Sequence, residues 1–250
     1  MSTTIAFLGA TGGCGLSALA RSLSASHTCH ALCRSPSRLT AALDKSYPGT
    51  PRATLTITEG NAHNAAAVSK VLAHPADPAR LVDLVVFTIG GAFDLRKLTL
   101  DDPAVCEKAM RTLLSALDAL VGSGRGAYPR VAVVSSTGVS DKGRDFPLLI
   151  SPVFRILLPV PHADKKRMEA ALRSARATDW TLVRPALLKD GVSAPGTQIR
   201  VGVENLETGE VESREMGYFI TRDDVGKWMF ENLIQRDGRE YLRKAVSLTS

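Results

Sequence analysis

Seven residues near the start of the chain, Gly9-Ala10-Thr11-Gly12-Gly13-Cys14-Gly15, constrain its fold more than any other segment. They follow a short β-branched and apolar run at residues 4–8 and precede a helical pattern at 16–23. Gly9, Gly12 and Gly15, spaced three apart, suit a strand-to-helix turn whose backbone must approach a diphosphate. The free N–H groups of the following helix, helped by its dipole, then face the anion. A tight turn without a ligand would use the same glycines, so context has to decide. The context is a repeating β/α pattern, and Gly9, Thr11, Gly12, Gly13, Cys14 and Gly15 are expected to bind a dinucleotide.

The alternation runs the length of the chain. Strands are predicted at 27–33, 53–58, 82–89, 131–135 and 181–184, that at 82–89 apolar enough to be buried on both faces. Helices are predicted at 37–45, 64–73, 102–121 and 164–175, with Pro103 suited to the first turn of the third of these. Residues 191–211 are rich in turn formers, with room for an extra strand at 198–203. Thr221-Arg222-Asp223-Asp224 resembles a capping box and opens a helix to about residue 234; a last strand falls near 242–248. Strands separated by helices imply a parallel sheet with right-handed crossovers. The expected fold class is α/β: a Rossmann-type doubly wound parallel sheet with helices on both faces and a small C-terminal substrate-binding extension. One domain spans residues 1–250. Ligands in such sheets bind at the carboxyl ends of the strands, where strand order reverses.

The second strand end selects between cofactors. A carboxylate there would accept bonds from a ribose 2′-hydroxyl, but the strand runs into Cys33-Arg34-Ser35-Pro36-Ser37-Arg38. Arg34 is placed to pair with a 2′-phosphate, with Ser35 and Arg38 assisting, which favours NADPH/NADP over NADH. Asn61, after the third strand, could meet the adenine edge. Thr88 and Gly90, after the fourth, permit close approach of the adenosine ribose and phosphates.

The net charge of +6 is best explained by such a phosphate-bearing cofactor. Lys and Arg are scattered, and the densest run, Lys165-Lys166-Arg167, is flanked by Asp164 and Glu169. With an aromatic share of 5%, a base-stacking reader of nucleic acid is not expected. Cys14, Cys29, Cys33 and Cys106 have no zinc spacing and no disulfide pattern, so no metal is expected and a reducing, cytoplasmic setting is. No signal peptide is evident, and the apolar stretch 146–161 is too short and too interrupted to span a membrane.

Four motifs carry a resemblance: the Gly-Ala-Thr-Gly-x-x-Gly turn, Ser135-Ser136-Thr137-Gly138, the stretch His162-Ala163-Asp164-Lys165-Lys166-Arg167-Met168-Glu169, and Trp180-Thr181-Leu182-Val183-Arg184-Pro185. Together they resemble the NmrA-like atypical short-chain dehydrogenases, nearest to fungal averufin-oxidase-like oxidoreductases of aromatic polyketide pathways. Such enzymes pair a Tyr with a Lys four residues later on one helix face. Here His162 takes the Tyr place and Lys166 the Lys place, with Lys165 as the fallback. The resemblance implies that Lys166 holds the nicotinamide ribose and that His162 protonates or orients the substrate. A nearby ammonium would depress the imidazole pKa, which suits a base better than an acid. Ser135 and Ser136 close the fifth strand and could bond a carbonyl or its developing oxyanion; sequence leaves open which one faces the cleft. Thr137 could contribute too. The backbone after Pro185 could meet the nicotinamide carboxamide, while Arg184 reads equally as an ion-pair residue or a ligand.

Segments 141–160 and 191–219 would cover the substrate. Phe146, Leu148, Leu149, Ile150, Val153, Phe154, Ile156, Leu157 and Leu158 could wall an apolar pocket or build a homodimer face. Met216, Tyr218 and Phe219 would close the other side. The expected function is an NADPH-dependent oxidoreductase acting on a hydrophobic aromatic or polyketide-like carbonyl, quinone or enone in secondary metabolism. Two rivals stay open: a non-redox isomerase, dehydratase or cyclase using His162 as acid or base, and an NADP-sensing regulator.

Overall fold

The computed structural model describes residues 2–91, 93–94, 99–150, 152 and 158–250. Its centre is a nine-stranded sheet built from β1 (Thr4–Leu8), β2 (Thr28–Cys33), β3 (Leu55–Glu59), β4 (Leu84–Phe87), β5 (Arg130–Val134), β6 (Trp180–Pro185), β7 (Arg200–Asn205), β8 (Val211–Ser213) and β9 (Lys244–Thr249). Their order across the sheet is β8-β7-β9-β6-β5-β4-β1-β2-β3. Strands from β3 to β9 across the sheet pair in parallel; β7 joins β9, and β8 joins β7, antiparallel. The chain winds outward from β1 in one direction through β2 and β3, then returns to β4 and winds the other way. The reversal therefore falls between β1 and β4, where a doubly wound sheet opens its crevice.

Helices α1 (Gly13–Ser24), α2 (Pro36–Ser46), α3 (Ala65–Leu72), α4 (Val105–Gly122), α5 (Pro159–Ser174) and α6 (Arg222–Met229) cover both faces. Alternate sheet residues divide the interior into two apolar layers. Ile5, Phe7, Leu19 and Val225 lie in one, and Ala6, Leu8, Val85, Met110 and Leu172 in the other. The period-two alternation of side chains in β1 makes that division. Helix α6 comes so close to α1 that a Cβ on Gly226 would lie 2.4 Å from Ser17 Cβ and 2.6 Å from the Cys14 carbonyl oxygen. No described helix is long and apolar enough to cross a membrane.

Caps start three helices as their sequences suggest. Ser35 accepts from Arg38 N, Asn64 from Ala67 N, and Thr221 from Asp224 N at 2.9 Å. The Asp224 carboxylate returns to the Thr221 hydroxyl at 2.6 Å, a variant of the box with Asp in place of Glu. Helix α4 is capped from outside: the buried Asp164 carboxylate accepts from Cys106 N at 2.9 Å and Glu107 N at 3.0 Å.

Several boundaries differ from the sequence reading. Pro103 precedes the cap residue Ala104, so α4 starts two residues later than a Pro-led helix would. Helix α5 begins at Pro159 rather than Asp164, since proline is at home in a first turn. The helix opened by Thr221 changes to a π-helical turn over Phe230–Gln235. Two small units carried no clear sequence signal: a hairpin of Ala73–His74 with Asp77–Leu81, and a parallel ribbon of Leu187–Lys189 with Phe219–Thr221.

Candidate active site

The glycine turn sits at the sheet reversal, and its glycines have different tasks. Gly9 has a φ of +102°, which favours glycine, and a Cβ there would lie 2.7 Å from Thr88. At Gly15 a Cβ would meet Thr88 Oγ1 at 2.3 Å and the Gly9 carbonyl oxygen at 2.6 Å. The Thr88 hydroxyl donates to the Gly9 carbonyl at 3.0 Å, locking the end of β4 onto the turn. Gly12 differs: its backbone is extended, and a Cβ would have nothing within 4 Å. It faces open space at the start of α1, where no side chain caps the helix. An uncapped helix end behind a bare glycine is what a diphosphate needs.

That space is a cleft of about 700 Å³. Of the residues expected to bind cofactor, it is lined by Gly9, Thr11, Gly12, Arg34, Arg38, Asn61, Thr88 and Gly90. Arg34 and Arg38 are exposed and make no ion pair among the described residues. The cleft also takes in His63, Asp101, Asp102 and Arg222, which sequence reasoning did not assign to it. Arg222 was legible as part of a helix start and nothing more.

Other expected contacts are placed elsewhere. Gly13 and Gly15 shape the turn without lining the cleft, and Cys14 is buried in the core, where burial pushes its thiol up to about 12. Ser35 is also off the lining, because its hydroxyl caps α2 and bonds Ser37 at 3.1 Å. Pro185 is buried at the end of β6, its carbonyl taken by Thr137 N at 3.0 Å.

The lysine assignment needs a correction. Lys166 points outward into an exposed ion pair with Asp141 at 3.0 Å, away from the strand ends. Lys165 points inward: its ammonium donates to the carbonyls of Ile89 at 3.1 Å and Val134 at 2.7 Å, just beyond β4 and at the end of β5. Adjacent helical residues differ by about 100° in direction, so one position separates an inward-pointing lysine from a surface one.

Ser135 follows Val134 directly. It is buried, and its hydroxyl oxygen has no partner. Ser136 is half-buried. The buried Thr137 hydroxyl donates to the Pro185 carbonyl at 3.3 Å. His162 precedes Lys165 by three residues, on the same face of α5. Burial, aided by the Lys166 charge, lowers its pKa to about 4. Arg184 belongs to a structural network. It is buried and held by Glu169 at 2.6 Å and Glu204 at 2.7 Å, and Ser140 donates to Glu204 at 2.8 Å. Burial alone would lower its pKa, but the two glutamates raise it.

Part of the expected substrate wall is outside the described residues, namely Val153, Phe154, Ile156 and Leu157. Leu148 and Leu149 are exposed, as in part are Met216, Tyr218 and Phe219.

A model of an NAD(P)H-binding family matches residues 9–236. The chain is 39% identical to the reductase pytE of Aspergillus terreus, over 98% of this chain and 97% of that protein. It is 34% identical to the oxidase pynE of Aspergillus niger, over 98% of both. In fold it is similar to a short-chain dehydrogenase/reductase from Veillonella parvula, solved in complex with NADP. That likeness has a TM-score of 0.71 at 17% identity and covers 100% of this chain and 95% of the other. It is also similar to ChuY, an anaerobillin reductase from Escherichia coli, with a TM-score of 0.65 at 20% identity, covering 98% and 96%.

Proposed function

The chain belongs to the NAD(P)H-binding family, and from that membership we propose that it is an NADPH-dependent reductase of secondary metabolism. Its substrate is a hydrophobic aromatic or polyketide-like carbonyl, quinone or enone. Relatives named as a reductase and an oxidase support redox chemistry, and the NADP-bound neighbour supports the cofactor class. The observation that carries the NADPH preference is the pair Arg34 and Arg38 on the cleft, at a strand end without a carboxylate.

The residues present fit the group. The bare Gly12 and the uncapped start of α1 receive the diphosphate, and Arg34 and Arg38 neutralise the 2′-phosphate. When bound, NADPH supplies a hydride from C4 of its nicotinamide. Lys165, already bonded to two strand-end carbonyls, takes the ribose-holding role that the family pattern gave to Lys166. The unpartnered Ser135 hydroxyl donates to the acceptor oxygen and stabilises the charge that develops there. His162, neutral at pH 7, orients the substrate through a hydrogen bond and does not store a proton.

Two measurements test this. Replacing Arg34 by Gln should raise KM for NADPH roughly tenfold and leave NADH nearly unchanged, as the loss of one charge-assisted contact requires. Equal effects on both cofactors would remove the 2′-phosphate assignment. The product should be two hydrogens heavier than the substrate, one arriving as the hydride and one as a proton from solvent. An unchanged mass or a lost water would favour isomerase or dehydratase chemistry.

A further inference from the structure

Arg222 is far from the glycine turn in sequence and lies over it in space. A Cβ on Gly13 would come within 3.1 Å of Arg222 Cδ and 3.7 Å of its Nε. Arg222 also lines the same cleft as Gly12, Thr88 and Arg34. The small ribbon puts it there. Lys189 pairs with Thr221 in parallel register, so the next residues, Asp190 and Arg222, emerge side by side. Their ion pair closes at 2.8 Å, and Arg222 Nη1 reaches the Leu188 carbonyl at 3.5 Å. The Asp190 side chain is 94% exposed, and an ion pair so open to water is weak.

We propose that Arg222 is a ligand of the cofactor's diphosphate and that Asp190 is its resting counter-ion. This rests on the NAD(P)H reading of the cleft and adds a residue from the opposite end of the chain. The first turn of α1 supplies N–H groups but no cationic side chain. Arg34 and Arg38 stand beyond β2, toward the adenosine sugar, so neither is the side chain that would add charge to the helix N-terminus at the diphosphate. Arg222 is the arginine of the cleft that crosses the turn itself. Its planar donors match phosphate oxygens, and a diphosphate outcompetes one solvated carboxylate.

Calorimetry on the full chain tests this with NADPH, NADH, ADP-ribose and adenosine 2′-monophosphate. Arg222→Gln should raise Kd for the three diphosphate ligands about tenfold, the worth of a charge-assisted contact, and leave adenosine 2′-monophosphate unchanged. Arg34→Gln should weaken NADPH and adenosine 2′-monophosphate and spare NADH. Arg222→Lys should recover part of the loss, and Asp190→Asn should tighten the diphosphate ligands about twofold. Unaltered ADP-ribose affinity in Arg222→Gln would overturn the assignment, as would an equal loss for adenosine 2′-monophosphate. If that variant does not fold, Arg222→Lys and Asp190→Asn decide, and wild-type affinities in both overturn it. Wild-type protein that binds no dinucleotide would instead overturn the cofactor reading itself.

Discussion

The Lys165 ammonium donates to the Val134 carbonyl oxygen at 2.7 Å, which clamps a cation to the end of β5 one residue before Ser135. The second bond, to Ile89, spans the gap to β4. The cation is thus held at the strand ends, one of them next in sequence to a buried hydroxyl without a hydrogen-bond partner. The proposed chemistry therefore centres on Lys165 and Ser135 rather than on Lys166.

Exchanging the two lysines separately tests that placement. Lys165→Met should lower kcat/KM by roughly 100-fold, as the loss of the cation proposed to orient the nicotinamide ribose would. Lys166→Met removes an exposed ion pair with Asp141 and should change kcat/KM by about twofold at most. Steady-state kinetics with NADPH settle the matter. Equal losses would return Lys166 to the site.

Two glycines of one turn should respond in opposite ways to the same substitution. Gly15→Ala drives a methyl into Thr88 Oγ1 and the Gly9 carbonyl, and should destabilise by about 1–3 kcal/mol or more. Thr88→Ala cannot fully rescue it, because the Gly9 oxygen at 2.6 Å remains. Gly12→Ala places its methyl in open cleft on extended backbone. It should leave Tm unchanged and weaken NADPH binding. Thermal melts with and without NADPH separate the two, and a stable Gly15→Ala would contradict the packing account.

The sequence made the local devices legible and left the long-range ones hidden. The glycine turn, the Thr221 cap and the missing acid after β2 can each be read from a few neighbouring residues. Lys165 could not be chosen over Lys166 from spacing, because the choice depends on how α5 is rotated about its axis. That rotation is fixed by Asp164, buried against the start of α4 some 58 residues away. Arg222 reached the cleft through the pairing of two three-residue strands, too short to leave a periodic pattern. Ser35 looked like a cofactor ligand because a helix cap and a phosphate contact use the same hydroxyl.

Asp223 joins three parts of the fold and should govern acid stability. Its carboxylate accepts from Arg21 and Ser17, both at 2.7 Å, Tyr47 at 2.6 Å and Ser193 N at 2.9 Å. Burial alone would raise its pKa, but these donors hold it well below the usual carboxylate range. The folded state therefore binds the proton less readily than the unfolded chain. The stabilisation is complete above the unfolded pKa near 3.9 and is lost as pH falls through the lower folded value. Asp223→Ala should cost roughly 2–4 kcal/mol at pH 7, since Arg21 and Tyr47 lose a shared partner. Urea melts at pH 7 and pH 3 should show the difference shrinking in acid. A constant difference would detach Asp223 from the acid limb.

His162 is neutral before protonation where Asp223 is charged, yet its effect on stability runs in the same direction with pH. Its folded pKa of about 4 is below the ordinary value of 6.5, through burial first and the Lys166 charge second. The unfolded chain takes up the proton first, so His162 contributes its full stability above about pH 6.5 and loses it as pH falls toward 4. Across the same interval the folded imidazole stays neutral. The kcat profile should therefore show no acid limb near 6.5 and a fall nearer 4, wherever the protein remains folded. If the ring acts on the substrate as proposed, His162→Ala should lower kcat more than it raises the Kd for NADPH. Lys166→Met should raise the imidazole pKa, which NMR titration of the ring would detect as a shift toward 6.5. An acid limb already at 6.5 in the wild type would mean that the ring is solvated, and an unchanged kcat in His162→Ala would remove it from the reaction.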